Sequence, residues 1–200
     1  MTDMNVQTTP ASSNIATDNW RDWNPGLDND ELTLHAVFDT LPGAGPDEID
    51  QMVRLLENPA SPYALPGAVR LRHHDCIHIL LGRGLLNQDE AFVIGYTMGT
   101  AKEHINEEQV QLFRLAAKLL YKPPYRMTDN DLVAFDLAFA LGNKSEFRHI
   151  YKFDYDRAMD LDIGDIRKEL GIDAANLKAA FREERLLLPG NKASERLPII

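Results

Sequence analysis

From Asp28 to about Leu187 the apolar residues of this chain recur at three- and four-residue intervals, and no run alternates polar with apolar long enough to make a strand. That property restricts the chain to helices packed on helices. Stop and start signals divide the pattern. Asp30 precedes a stripe of Leu34, Val37, Phe38 and Leu41, and an acid in that position accepts the free N–H groups of a first turn. Pro46, Asp47 and Glu48 suit the opening of a second helix with Ile49, Met52, Val53 and Leu56 on its apolar face. Further helices are expected over about 67–81, over about 89–104, after Asn106, after Thr128-x-x-Asp131, over about 163–170 and over about 173–187. Pro123-Pro124 ends the fifth of these, Gly142-Asn143 is expected to interrupt the sixth, and Gly171 reads as a C-terminal cap. The expectation is an all-α, single-domain bundle of about eight helices over residues 28–188. Residues 1–27 read as a flexible tail, with Trp20 and Trp23 as its only anchors, and residues 189–200 read as a second tail.

Charge and composition narrow the function. The net charge of -10 comes from 31 acidic side chains against 21 Lys and Arg. Nucleic acid, which needs a basic stripe, is therefore not an expected partner. No apolar run is long enough to span a bilayer. The single cysteine allows no internal disulfide. Cys76 lies about 200° around a helix from His74, which points to core packing. The N-terminal stretch has neither a basic-then-apolar leader nor the Arg-rich, acid-poor make-up of a transit peptide. The cytoplasm is the expected location, extended to peripheral contact at the inner membrane surface.

One stretch carries chemistry. His74-Asp75-x-x-His78 is followed, after eleven residues, by Glu90. On a helix, residues 74, 75 and 78 fall within about 100° of one another, and the two histidines are about 6 Å apart along the axis. Gly82, Gly84 and Asn87 break the helix before Glu90, so a short reversal would bring Glu90 back to the histidines. Asp89 and Glu90 would then open the next helix at its positive end, which favours an ionised Glu90. Two imidazoles and two carboxylates suit a divalent cation in a helix–turn–helix site. Zinc is the first choice, with magnesium, manganese or iron as alternatives. Unshifted imidazoles would bind it less well below about pH 6.5.

The spacing His74-Asp75-x-x-His78 with Glu90 resembles the signature of the coenzyme Q biosynthesis protein 4 family, and all four signature positions match. Asp165-Ile-Arg-Lys-Glu-Leu-Gly-Ile172 resembles a helix end near that family's C-terminus, so the likeness spans about residues 30–172. Asp89 departs from it, because a glycine is expected there. The resemblance implies a metal held by His74, Asp75, His78 and Glu90. It also implies a polyprenylated aromatic ligand of ubiquinone formation, and either decarboxylation with hydroxylation of its head group or support of a complex that does such steps.

Other residues follow from that reading. Arg70, one turn before His74, could hold a carboxylate or phosphate beside the metal. Ile94, Thr97, Met98 and Ala101 share the Glu90 face and are expected to line a groove for an isoprenoid chain. Gly95 and Gly99 would permit close approach of another helix or of a ligand. Two other readings stand beside this one. The first is a non-catalytic, lipid-binding scaffold of a quinone biosynthesis complex, with a homo-oligomer among its expected assemblies. The second is a metal-dependent phosphohydrolase of the HD type, built on His74-Asp75 with His35 and Asp136 as further ligands.

Overall fold

Three glycines decide how the centre is built. In a computed structural model that describes residues 19–42, 51–147 and 149–198, α4 (Asn87–Thr100) lies directly against α6 (Asp129–Lys144). A Cβ built on Gly95 would collide with the Phe135 carbonyl oxygen, one on Gly99 with the Phe139 carbonyl and one on Gly142 with the Tyr96 carbonyl. The two backbones therefore touch where only hydrogen atoms fit between them. The expected break at Gly142-Asn143 does not occur, and α6 runs through to Lys144. Gly142 is there for helix contact and does not end the helix. Gly95→Ala should lower stability by about 1–3 kcal/mol, because overpacking outweighs the gain in helix propensity of up to about 1 kcal/mol. A urea titration measures the difference.

Around this pair the described residues form ten α-helices and one 3-10 turn, Ile150–Lys152, with no strand beyond a single antiparallel bridge between Thr33 and Asp162. The all-α expectation is met. Before the central pair come α1 (Leu34–Phe38), α2 (Gln51–Glu57) and α3 (Leu71–Leu81), and α5 (Glu107–Leu119) lies between its members. After it come α7 (Tyr155–Ala158), α8 (Ile163–Glu169), α9 (Ala174–Leu187) and α10 (Lys192–Glu195). Asn106 with Gln109 and Thr128 with Asp131 form capping boxes at the starts of α5 and α6, which satisfies the first-turn N–H groups. The expected start of the second helix at Pro46 lies outside the described residues. No helix among the described residues is long and apolar enough to cross a membrane.

Beyond its polar first turn, α4 is buried on every side and mostly apolar all round. Phe92, Val93 and Tyr96 enter one core with Trp23, Leu34, Ile77 and Phe181. Ala91, Ile94 and Met98 enter a second core with Leu56, Phe113 and Phe135. Both chain ends reach further into the domain than periodicity suggests. Trp23 is fully buried and donates its indole N–H to Thr40 Oγ1 at 3.1 Å. Ala193, Ser194 and Leu197 are buried beyond the expected end of the domain.

α3 is shorter than the 67–81 expected. Gly67 has φ +93° and Arg70 is extended, so the helix begins at Leu71. It ends at Gly82, whose left-handed φ of 65° suits glycine. The carbonyls left over at that end are taken by a distant side chain. Arg167, buried on α8, donates Nε–H to Leu80 O at 2.9 Å and Nη2–H to Ile79 O at 3.3 Å. Its Nη1 also reaches Leu27 O at 3.0 Å and pairs with Asp30. The stretch 165–172 thus caps the helix that carries the histidines. Arg167→Met should cost about 2–4 kcal/mol by orphaning these acceptors, read as a fall in Tm.

Candidate metal centre

Two imidazoles from α3 and one carboxylate from α4 meet at a point. His74 Nε2 lies 2.9 Å from Glu90 Oε2 and 3.0 Å from His78 Nε2, and His78 Nε2 lies 3.3 Å from the same carboxylate oxygen. One helical turn separates the histidines. The turn from Gly82 to Leu86 sets α4 so that Glu90, in its first turn, faces back onto them. Donors bound to one ion at about 2.0–2.1 Å would be about 3.3–3.4 Å apart in a tetrahedron and about 2.9 Å apart as neighbours in an octahedron. The observed triangle falls between these edges. Among the described residues this is the one group of three His, Cys, Asp or Glu side chains whose donor atoms all converge, here within 4.8 Å.

The backbone prepares His78 for this role. Its Nδ1–H donates to Gly84 O at 2.7 Å, which leaves the Nε2 lone pair for a cation. Three acceptor-type atoms so close together need a cation or protons between them. In the metal-free protein they share protons. Burial alone would lower the His74 pKa, but the Glu90 hydrogen bond and charge, with help from Asp75 and Glu57, push it up to about 9. Burial works against ionising Glu90 too, yet the charge of His78 and the hydrogen bonds from both imidazoles hold that carboxyl well below the usual range.

The predicted residues do not all arrive at this point. Asp75 is not among the converging donors. It projects about 100° from His74 on a short side chain, and its carboxyl stays outside the triangle while still acting on both imidazoles. Burial pushes it up to about 6, and the histidine charges oppose that rise. Arg70 is the extended, exposed residue before α3. Its carbonyl accepts the His74 N–H at 2.9 Å, one turn on, while its exposed side chain is not among the groups that act on His74 or Glu90. Ile94, Thr97, Met98 and Ala101 are 8%, 2%, 3% and 0% exposed. The face expected to line an isoprenoid groove is filled by protein, because α4 is the central helix. The Gly95 and Gly99 pair serves helix packing. Cys76 is buried as expected, and burial pushes its thiol up to about 12. His35 pairs with Asp39 and Asp160 at the surface, and Asp136 pairs with Arg114. Neither joins the triad.

Two groups near the site were not legible as site residues. Glu57, at the end of α2, accepts the Tyr121 hydroxyl hydrogen at 2.5 Å and feels the charges of His74 and Glu90. Behind the site, Arg83 is fully buried. It is bidentate to Glu184 at 2.9 and 2.9 Å and paired with Asp89 at 3.0 Å. Asp89 also pairs with Arg196 at 2.5 Å and accepts the Leu86 N–H at 3.1 Å. A carboxyl spaced for no motif, and partners a hundred residues apart, give periodicity nothing to detect.

No family model, curated protein or solved structure matches this chain. The likeness to the coenzyme Q biosynthesis protein 4 family rests on the signature residues and the stretch 165–172 alone.

Proposed function

We propose that the protein holds one divalent cation at His74, His78 and Glu90 and uses it to bind the oxygen-bearing head group of a prenylated quinone precursor. The observation that supports this reading is the convergence of these three donors to 2.9–3.3 Å from the very positions that the signature spacing names. Two imidazoles with one carboxylate favour zinc, or iron or manganese, over the all-oxygen preference of magnesium. When bound, the cation supplies Lewis-acid polarisation of a phenol or carboxylate oxygen. Three protein donors leave coordination positions for that oxygen, as open catalytic sites do. The chain itself orients His78 through Gly84, keeps Glu90 ionised at the start of α4, and sets the half-buried Asp75 carboxyl where it acts on both imidazoles. Head-group decarboxylation and hydroxylation is the reaction this reading carries.

A scaffold reading shares the same site. Leu112, Leu115 and Leu119 on α5 are 45%, 55% and 60% exposed. They sit at helical spacing on one side, an apolar strip suited to a lipid or a partner protein. Zinc-loaded protein should bind a prenylated 4-hydroxybenzoate, and chelator-stripped protein should not. Equal binding in the two states would remove the head group from the metal. Turnover of the bound acid separates the enzyme from the scaffold.

A further inference from the structure

Helix α5 has a buried side and a bare one. Phe113, Ala116 and Ala117 enter the second core, where Phe113 stacks on Phe135 of α6 with ring centroids 4.8 Å apart. Leu112, Leu115 and Leu119 lie on the other side and are half-exposed. In projection the three leucines span about 60°, and Glu108 falls within the same arc. From Glu108 the steps are four, three and four residues, the spacing of a coiled-coil seam. One more step of three reaches Lys122, just past the end of the helix. Glu108 and Lys122 are exposed, and neither has an ionic partner among the described residues. The cations between them are taken, because Arg114 pairs with Asp136 and Lys118 with Asp129.

This strip has an acid at one end, a base at the other and leucines between, so it complements itself when turned end for end. A two-fold interface requires just that, since the same surface serves both sides. We propose that two copies of the chain pair through this face, with their α5 helices antiparallel and each Glu108 beside the partner's Lys122. Leu115 lies seven residues from both charges and marks the axis, with Leu112 set against the partner's Leu119. A parallel pair would place acid on acid and base on base, which is unfavourable. A lipid surface would cover the leucines but would make no use of opposite charges at the two ends. The strip is narrow beside the roughly 800 Å² per partner of a standard interface, and two acidic copies repel at long range. The dimer is therefore weak, with Kd on the order of tens of micromolar. It involves no donor of the metal centre and stands apart from the metal reading.

Sedimentation equilibrium of the full chain, from about 5 to 500 μM, tests this in about 0.15 M salt, where screening confines the long-range repulsion. Wild type should pass from monomer to dimer over that range. Leu115→Arg sets two like charges face to face at the axis and should weaken pairing at least about thirtyfold. Its urea midpoint should match wild type, because Leu115 supports no core. Glu108→Lys should weaken pairing about tenfold, and adding Lys122→Glu to it should restore the wild-type Kd to within about threefold. Wild type that stays monomeric throughout overturns the proposal. Leu115→Arg that dimerises like wild type places any dimer on another face, and a charge swap that restores nothing shows that the two ends do not meet; each also overturns it. Monomeric wild type that binds phosphatidylcholine vesicles, with binding lost in Leu115→Arg, assigns the face to lipid instead.

Discussion

Zinc affinity of the wild-type protein should rise about tenfold per pH unit from neutrality to about pH 9, and a His74→Ala, His78→Ala variant should bind at least about a thousandfold more weakly at any pH. The slope follows from the metal-free site. Glu90, Asp75 and Glu57 hold His74 protonated up to about 9, and a ligating imidazole must be neutral. Each unit of pH below that value therefore costs one protonation equilibrium. Unshifted histidines would give a curve that is flat above about pH 6.5. Zinc titrations against a competing chelator at pH 7, 8 and 9 distinguish the two. A flat profile over that range would mean that the His74–Glu90 pairing does not persist in solution.

The same shifts set the stability of the metal-free protein, with opposite signs at the two ends. The His74 pKa is raised on folding, so its contribution is complete below about 6.5 and is lost as pH rises through about 9. The Glu90 pKa is depressed, so its contribution is present above about 4.5 and is lost in acid. Metal-free protein should then lose Tm above neutrality, and zinc should restore it, because the cation takes over the role of the departing proton.

The parts of this molecule legible in its sequence are those that depend on near neighbours. Helical spacing and the Asn106 and Thr128 boxes located α5 and α6, since a cap and its partner are three residues apart. The His74, His78 and Glu90 convergence was legible because one helical turn and one short reversal connect them. Asp75 was misjudged as a donor, because sharing a helix face within about 100° does not mean that a short carboxylate reaches the same point. The isoprenoid face was misjudged for a different reason. Ile94, Thr97, Met98 and Ala101 lie on one side of α4, but its other sides are equally apolar, and a helix of that kind has no free face. Trp23 stands out in its polar stretch as an anchor, which its full burial bears out, but Ser194 and Arg196 lie in a stretch without periodicity, so nothing local marks them as part of the domain. Asp89 appeared only as a departure from a likeness. Its meaning depends on Arg196, more than a hundred residues away.

That departure leads to the second large effect. Buried Arg83, Asp89 and Glu184 form a cluster with half-buried Arg196, two positive and two negative charges, and Gln88 bridges Glu184 to Ser194. Removing one acid leaves a buried charge uncompensated, so Glu184→Ala should cost about 3–5 kcal/mol. Arg83→Met with Glu184→Leu removes one charge of each sign and should recover most of that stability, since a well-packed apolar pair is often as stable as the ions it replaces. Metal affinity should not recover with it. Arg83 lies next to Gly84, whose carbonyl orients His78, and it grips Asp89, the neighbour of Glu90. The cluster fixes the reversal that brings α3 and α4 donors together, and supporting contacts of this kind carry about 10–100-fold in metal affinity. The double variant should therefore unfold at nearly the wild-type urea concentration while binding zinc about 10–100-fold more weakly. Wild-type zinc affinity in a stable double variant would assign the cluster to folding alone, and recovery of neither property would show that Asp89 and Arg196 cannot hold the turn without Arg83.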